Sequence, residues 1–587
     1  MVRRVAPSAI HVAVAALVIG CIAAPAVRAS AVVDNPFHRV SPVITRIALS
    51  SGGVNGTAVA RDSAQSHAVA GDHRLTRTGV QPFGLAAVTW RGSLTSRINV
   101  TIRVHDQGEW SRWHSLDMRE QIPDAASRDA RIARVQQGTE PLLTSGYADG
   151  VDVRIRTAAS TPVVSDVQLL LINGKPTAAD ALASSATPPV AALARPGAAV
   201  AGPAQPTIVS RAGWGADESW RRGTPSYSDT IKIGFVHHTV TATDYSRAEA
   251  PAQVRAVYAY DTKGLGISDL GYNYMVDRFG TIYEGRAGGV DQPVIGAHTA
   301  GFNENSFAVA VLGDYQHNKL PKAAAEPIVR AISAVAGWKL ALFHVDPIAP
   351  VDLVSNGLYG TSKYEAGEVA KMPYSLIGHG DIGKTQCPGA YLRPFLPQIR
   401  TRARDVQGAV IWQPRPSTVE WDYKRAPTTG VPAAGTGVEM SVRASVATDY
   451  VVKVLSPCSD SPIATQSGRL AADTAETVRW NGLTADGNAA PPGDYDVVVT
   501  AVGDFADVMP AAVTQVRIAP TDTSPRGPCA RVYQFGTDDV VATTVAASAE
   551  KWPAATTAII YNSSQAESIA GMIAATAAAR TGAALLP

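Results

Sequence analysis

Two short stretches carry residue types suited to metal chemistry. The first, IGFVHHTVT at 233–241, is an apolar run that ends on the adjacent histidines His237 and His238. The second, LIGHGDIGKTQCPGAYL at 376–392, sets His379 and Cys387 on either side of a loop containing Gly, Lys and Pro. Imidazole nitrogen and thiolate are donors that zinc prefers, and a set of three leaves a fourth position for water, the catalytic rather than the structural pattern. Side chains alternate along a strand, so His237 and His238 point to opposite faces and only one enters a shared site; alternation does not say which. The chain has no HExxH, the signature of the commonest zinc proteases.

Stepping outward from these residues, a chain of 587 residues holds three to four folding units at about 150 residues each. A net charge of +2 with 17% charged residues leaves no electrostatic footprint for nucleic acid or an anionic membrane. Residues 1–31 read as a secretory signal peptide: Arg3 and Arg4, an apolar run from Ala9 to Val27, then a small-residue cleavage site at Ala29, Ser30 and Ala31. Val18-Ile19-Gly20-Cys21 resembles a bacterial lipobox, which would make Cys21 a lipid anchor, but apolar sequence continues past Cys21. No later segment has ~20 uninterrupted apolar residues, so no membrane span is expected after the leader. The remaining cysteines are Cys387, Cys458 and Cys529, an odd number for an exported chain; Cys458 and Cys529 are a candidate pair, and the sequence leaves open whether they bridge.

Between leader and C-terminus the patterning changes several times. Residues 32–80 read as a polar linker. Over 81–173, short alternating runs such as INVTIRV, with Ile98, Val100, Ile102 and Val104 on one face, predict an antiparallel β-sandwich. Trp110 and Trp113 in this unit are read as sheet-face packing rather than a sugar-binding pair. Residues 174–206 are Ala- and Pro-rich without an aromatic and predict a semi-extended linker. From 207 to 404, strands and helices alternate: IKIGFVHH is a strand, Ser246-x-x-Glu249 is a capping box that opens a helix to Lys263, YNYMVDRFGTIYEG is a hairpin, FAVAVLGDY is a buried strand, and Pro327 is placed at the first position of a helix. This is an α/β unit. Over 415–520, TVRWNGLTADGNAAPPGDYDVVVTAV resembles the immunoglobulin-like spacer module first named in flagellar hook-assembly proteins. Residues 526–587 look like a partial cell-wall-binding repeat of Gram-positive type.

Five runs in the 207–404 unit belong together: SRAGWGADESW at 210–220, FVHHTVT, LGYNYMVDRFGTIYEGRAGG at 270–289, IGAHTAGFNENSFAVAVLGDY at 295–315, and GHGDIGKTQCPG. In this order they resemble the peptidoglycan recognition protein / type 2 N-acetylmuramoyl-L-alanine amidase family. The resemblance implies a mixed central sheet flanked by helices, with one zinc ion at the floor of a groove that holds peptidoglycan. It also implies residue roles. The family's first zinc histidine follows Phe-Val directly, which is His237; the second is His379; the third ligand is Cys387. Its catalytic tyrosine matches Tyr272. Thr385 stands two residues before the ligand cysteine, where a phage-lysozyme branch carries Lys, and is expected to assist at the oxyanion. Ala310 stands where another branch carries a strand Glu. His298 and Asn303 fall where the family lines the groove.

The function expected from the resemblance is secreted, wall-associated bacterial hydrolysis of the amide between N-acetylmuramic acid and L-alanine. A phenol with the usual pKa near 10 acts in it as a hydrogen-bond donor and not as a base. The rival is a non-catalytic peptidoglycan-binding protein on the same fold; many such members lack the ligand cysteine, and this chain retains it.

Overall fold

The computed structural model describes residues 40–49, 72–91, 98–119, 123–124, 127, 130–131, 136–157, 165–178, 180, 203–240, 243–357, 361–416, 420–422, 437–456, 461–491, 493–519, 559–560 and 585–586. Residues 1–39 with Cys21, both Cys458 and Cys529, and nearly all of 526–587 lie outside these residues. Of the last segment, Ile559–Ile560 and Leu585–Leu586 pair as parallel strands.

The N-terminal unit is one continuous sheet rather than two separate ones. Its strands are β1 (Val43–Ala48), β2 (Asp72–Arg91), β3 (Ile98–Asp106), β4 (Glu109–Trp110), β5 (His114–Leu116), β6 (Gln137–Gly138), β7 (Leu142–Thr157) and β8 (Ser165–Asn173). They run in the order β1-β8-β2-β7-β3-β4, with β5 on β3 and β6 on β2, antiparallel throughout. The 20-residue β2 shifts register between Thr78 and Leu85, pairing with β7 before the shift and chiefly with β8 after it. Such irregularities bend a strand. Inward residues of β2, β3, β7 and β8, among them Val88, Trp90, Val100, Val153 and Leu169, meet in one core.

Both expected linkers are corrected at their edges. β1 and the first residues of β2 lie inside the span 32–80, because VITRIA finds its backbone partners on the edge strand β8. The span 174–206 begins fixed to the α/β unit: the buried Arg255 donates to the carbonyls of Gly174 and Lys175 at 2.8 and 2.7 Å and pairs with the buried Asp180 at 2.6 Å. A buried guanidinium must find acceptors, and these residues supply them.

The α/β unit is built on a six-stranded mixed sheet. Its strands are β9 (Ile208–Val209), β10 (Ile233–His238), β11 (Tyr274–Val276), β12 (Ile282–Glu284), β13 (Ser306–Val311) and β16 (Leu376–Gly378), ordered β16-β10-β13-β11-β12-β9. A small hairpin of β14 (Val351–Val354) and β15 (Val369–Met372) lies apart. Only β11–β12, the expected hairpin, is antiparallel within the six. Helices α2 (Lys322–Leu342) and α3 (Leu396–Gln407) cover one face against Val236, Phe307, Val309 and Val311. Helix α1 (Ala250–Ala259) packs near Met275 and Tyr283 and runs into a π-helical turn, Tyr260–Gly264.

Two helix starts differ from expectation. Glu249 returns its carboxylate to the Ser246 N–H at 2.7 Å, the second half of a capping box, but is itself the N-cap residue of α1. Helix α2 begins at Lys322, so Pro327 lies inside it. Pro327 has no N–H to give the carbonyl of Ala323, four residues before it in the helix.

After α3 the chain forms a three-stranded sheet, β17 (Ile411–Pro416), β19 (Val438–Ala444) and β22 (Glu476–Trp480), and a five-stranded one, β18 (Glu420–Asp422), β20 (Thr448–Leu455), β21 (Pro462–Leu470), β23 (Gly493–Val502) and β24 (Ala512–Ala519). Residues of both sheets enclose a common core in which Trp480 and Tyr495 meet edge to face at 5.0 Å.

Candidate metal centre

Strand register decides between the adjacent histidines. His237 shares a face with Ile233 and Phe235, which pack away from α2 and α3, whereas His238 shares the face of Val236, which packs under them. Parallel pairing aligns Phe235 with Ala308 and His237 with Ala310. These two alanines pack against Tyr272. Ala310 thus lies beside His237 on the face that bears it.

The second element is the turn after β16. Because β16 pairs in parallel with β10, Val236 opposite Gly378, His379 emerges next to His237, and the ring centroids are 4.5 Å apart. The loop to Cys387 is tied at both ends. Gly378 N–H donates to Asp381 at 2.9 Å, Gly380 N–H donates to the Cys387 carbonyl at 2.7 Å, and Lys363 Nζ donates to the Gly380 carbonyl at 2.6 Å. A Cβ on Gly380 would sit 2.6 Å from the Thr385 carbonyl, and Gly389, at φ +96°, would clash with the Tyr315 backbone. Only glycine permits both close approaches. Thr385 Oγ1 accepts the Cys387 N–H at 3.2 Å, so that oxygen shapes the ligand loop.

One ligand atom each from His237, His379 and Cys387 lie within 4.8 Å of one another, all buried. Nδ1 of His237 is 3.7 Å from the Cys387 sulfur, which also accepts the His238 backbone N–H at 3.4 Å. Burial, and then the neighbouring histidines, hold His237 well below the usual imidazole pKa; burial takes His379 down to about 3. Two neutral imidazoles and one thiol sulfur at this spacing fit a tetrahedral zinc with an open position. Beside them, Tyr272 Oη and His298 Nε2 are buried with no hydrogen-bond partner among the described residues, as expected of donors aimed into a site that receives a ligand.

The other expected site residues separate into two groups. The Tyr272 ring is 5.3 Å from that of His237, and burial keeps its hydroxyl neutral, well above the usual phenol pKa. The His298 ring lies 5.5 Å from that of His237, and His298 Nδ1 is 3.0 Å from Thr299 Oγ1, which is in turn 3.4 Å from His237 Nε2. Asn303 is different: its Oδ1 accepts the His298 and Thr299 N–H groups at 2.7 and 3.0 Å, and its Nδ2 donates to Asp124 at 2.8 Å. Expected in the groove lining, Asn303 has an amide that joins this turn to Asp124. His238 turns away from the centre, where its Nδ1 accepts the Tyr315 N–H at 3.1 Å.

Asp124, Thr299 and Lys363 also shape this region. Thr299 directly follows His298; Asp124 and Lys363 come from segments with no periodic pattern, and nothing local in the sequence marks them.

Comparison with known proteins agrees with this geometry. Residues 227–390 match the N-acetylmuramoyl-L-alanine amidase family model, and residues 41–189 match the model described as Rv3811 N-terminal galactose-binding domain-like. Peptidoglycan-recognition protein SC2 of Drosophila simulans is 29% identical over 183 residues, covering 31% of this chain and 80% of that protein. The N-acetylmuramoyl-L-alanine amidase of Homo sapiens is 32% identical over 197 residues, covering 32% of this chain and 28% of that one. Peptidoglycan-recognition protein 1 of Holotrichia diomphalia is 32% identical over 143 residues, covering 23% of this chain and 69% of that protein. With these matches over the strands and loops that carry His237, Tyr272, His298 and His379, the chain belongs to the peptidoglycan recognition protein / type 2 amidase family.

Proposed function

We propose that this protein is a secreted, wall-associated zinc amidase that cleaves the bond between N-acetylmuramic acid and the L-alanine of the peptidoglycan stem peptide. The observation that carries the reading is the meeting of His237, His379 and Cys387 within 4.8 Å, beside the partnerless hydroxyl of Tyr272. A recognition protein that only binds has no need of an intact ligand set.

Zinc held by the two imidazoles and the thiolate would bring the pKa of a water toward about 7 and polarise the amide carbonyl. The protein's own groups do the rest. Tyr272 stays protonated because ionising a buried phenol costs solvation, so its Oη–H is a standing donor for the negative charge that develops on the carbonyl oxygen. In the tautomer that accepts the Thr299 hydroxyl at Nδ1, the neutral His298 ring carries its proton on Nε2, the atom without a partner, and would offer a second donor. The Thr385 hydroxyl, whose oxygen already accepts the Cys387 N–H, keeps its own proton free to donate.

The test is mass spectrometry of purified peptidoglycan after digestion, with wild-type protein compared with Cys387→Ala, alongside zinc stoichiometry. Free stem peptides with an L-alanine N-terminus from the wild type and none from Cys387→Ala are expected. A wild-type protein that binds wall with no zinc and releases no peptide is a recognition protein, and the proposal fails.

A further inference from the structure

The N-terminal β unit reaches the metal centre itself. Leu85, Ala87, Leu143, Leu170 and Ile172 form one cluster with Tyr260, Leu265 and Ala297 of the α/β unit, so the two are docked over an apolar surface. At the edge of this surface Asp124, 3% exposed, enters the turn that follows His298. Its Oδ1 accepts from the Gly301 N–H and the Asn303 side-chain amide, each at 2.8 Å, and its Oδ2 accepts from the Asn303 N–H at 3.2 Å.

We infer that Asp124 is a positioning residue for the metal centre, contributed by the N-terminal unit and acting through Asn303. The chain of contacts is short. With its Nδ2 and backbone N–H both held by Asp124, Asn303 has one orientation, and its Oδ1 then grips the N–H groups of His298 and Thr299. That grip sets the Thr299 hydroxyl between His298 Nδ1 and His237 Nε2. A hydrogen bond to the far nitrogen of a ligand imidazole fixes the tautomer and ring angle presented to a metal. Asp124 therefore touches no reacting atom, yet two rings of the site depend on it. A carboxylate suits the position because three N–H donors converge there and only an acceptor with two oxygens satisfies them all.

The consequence for the whole protein is that the N-terminal unit is part of the site rather than a module tethered to it. Arg119 makes a second link on the opposite flank. It pairs with Asp261 at 2.6 Å, both side chains buried, and Asp261 accepts the N–H of Gly271, the residue before Tyr272, at 2.9 Å.

The experiment measures zinc affinity by competition with a chromophoric chelator, and kcat and KM on a muramyl peptide, using the full chain. The kinetic arm rests on the amidase reading; the affinity arm does not and stands if that reading fails. Asp124→Ala is expected to weaken zinc about 10-fold and to lower kcat about 10- to 100-fold with KM within about 3-fold. Asp124→Asn, which keeps one acceptor oxygen, is expected to recover most of the loss. Asn303→Ala should match Asp124→Ala, and the double variant should be no worse than either single one. Should Asp124→Ala not fold, Asn303→Ala carries the same test from the α/β side. Unchanged zinc affinity with unchanged kcat, losses that multiply in the double variant, or a loss confined to KM would each overturn the inference. So would a rise in activity, which would mark the N-terminal unit as a cover over the site.

Discussion

His237 and His379 face each other at 4.5 Å between ring centroids because the strands that deliver them, β10 and β16, pair in parallel and finish at the same sheet edge. Cys387 then needs only a tight loop to return to both. Two of the three ligands thus come from sheet register, which is rigid, and the third from a loop held at both ends by backbone hydrogen bonds.

His237 and His238 are expected to separate cleanly on substitution. His237→Ala should abolish tight zinc binding and activity together. His238→Ala leaves the Tyr315 N–H buried without its acceptor, which costs about 1–3 kcal/mol of stability, and should weaken zinc only modestly. Zinc titration and thermal melting of both variants check this; zinc lost from His238→Ala and retained by His237→Ala would mean that His238 is the ligand.

Tyr272→Phe removes a donor without touching the ligand set. Zinc content and melting temperature should hold, while kcat falls by about 10²- to 10³-fold, the usual effect of losing one oxyanion donor. Since burial holds the phenol well above its usual pKa, the alkaline limb of the wild-type pH–rate profile should not come from Tyr272 below about pH 10.

Asp124 supplies a pH test that needs no substrate. Burial raises its carboxyl from 3.8 to about 6, outweighing the hydrogen bonds from Asn303 and Gly301 that pull it down. A folded-state pKa above the unfolded value gives stability that is present below about pH 4 and lost as pH rises through 6, ~3 kcal/mol at most. In chelator, the stability of the wild type relative to Asp124→Asn is therefore expected to fall between pH 4 and pH 7 on urea unfolding. A difference that grows over that range contradicts the assignment.

Arg255 is the buried clasp on residues 174–180. Arg255→Met leaves the buried Asp180 and the carbonyl of Gly174 without their donor, an effect of roughly 3–5 kcal/mol for a broken buried pair. Limited proteolysis should cut near 174–180 faster in the variant while the metal centre retains zinc. Identical cleavage rates would show that the clasp contributes nothing.

The ligand types, the alternation that admits only one of two adjacent histidines, the hairpin at 274–284 and the apolar strands were legible in the sequence, because each depends on neighbours a few residues away. The resemblance supplied the pairing of His237 with distant His379 and Cys387. What tertiary structure alone decided is everything set by contact between units. Asn303 has its amide held by Asp124, from a segment without a pattern. The start of an Ala/Pro-rich stretch has its carbonyls held by Arg255. In both cases a buried polar group had to be satisfied, and its partner was brought by the packing of one unit on another, which no local pattern encodes.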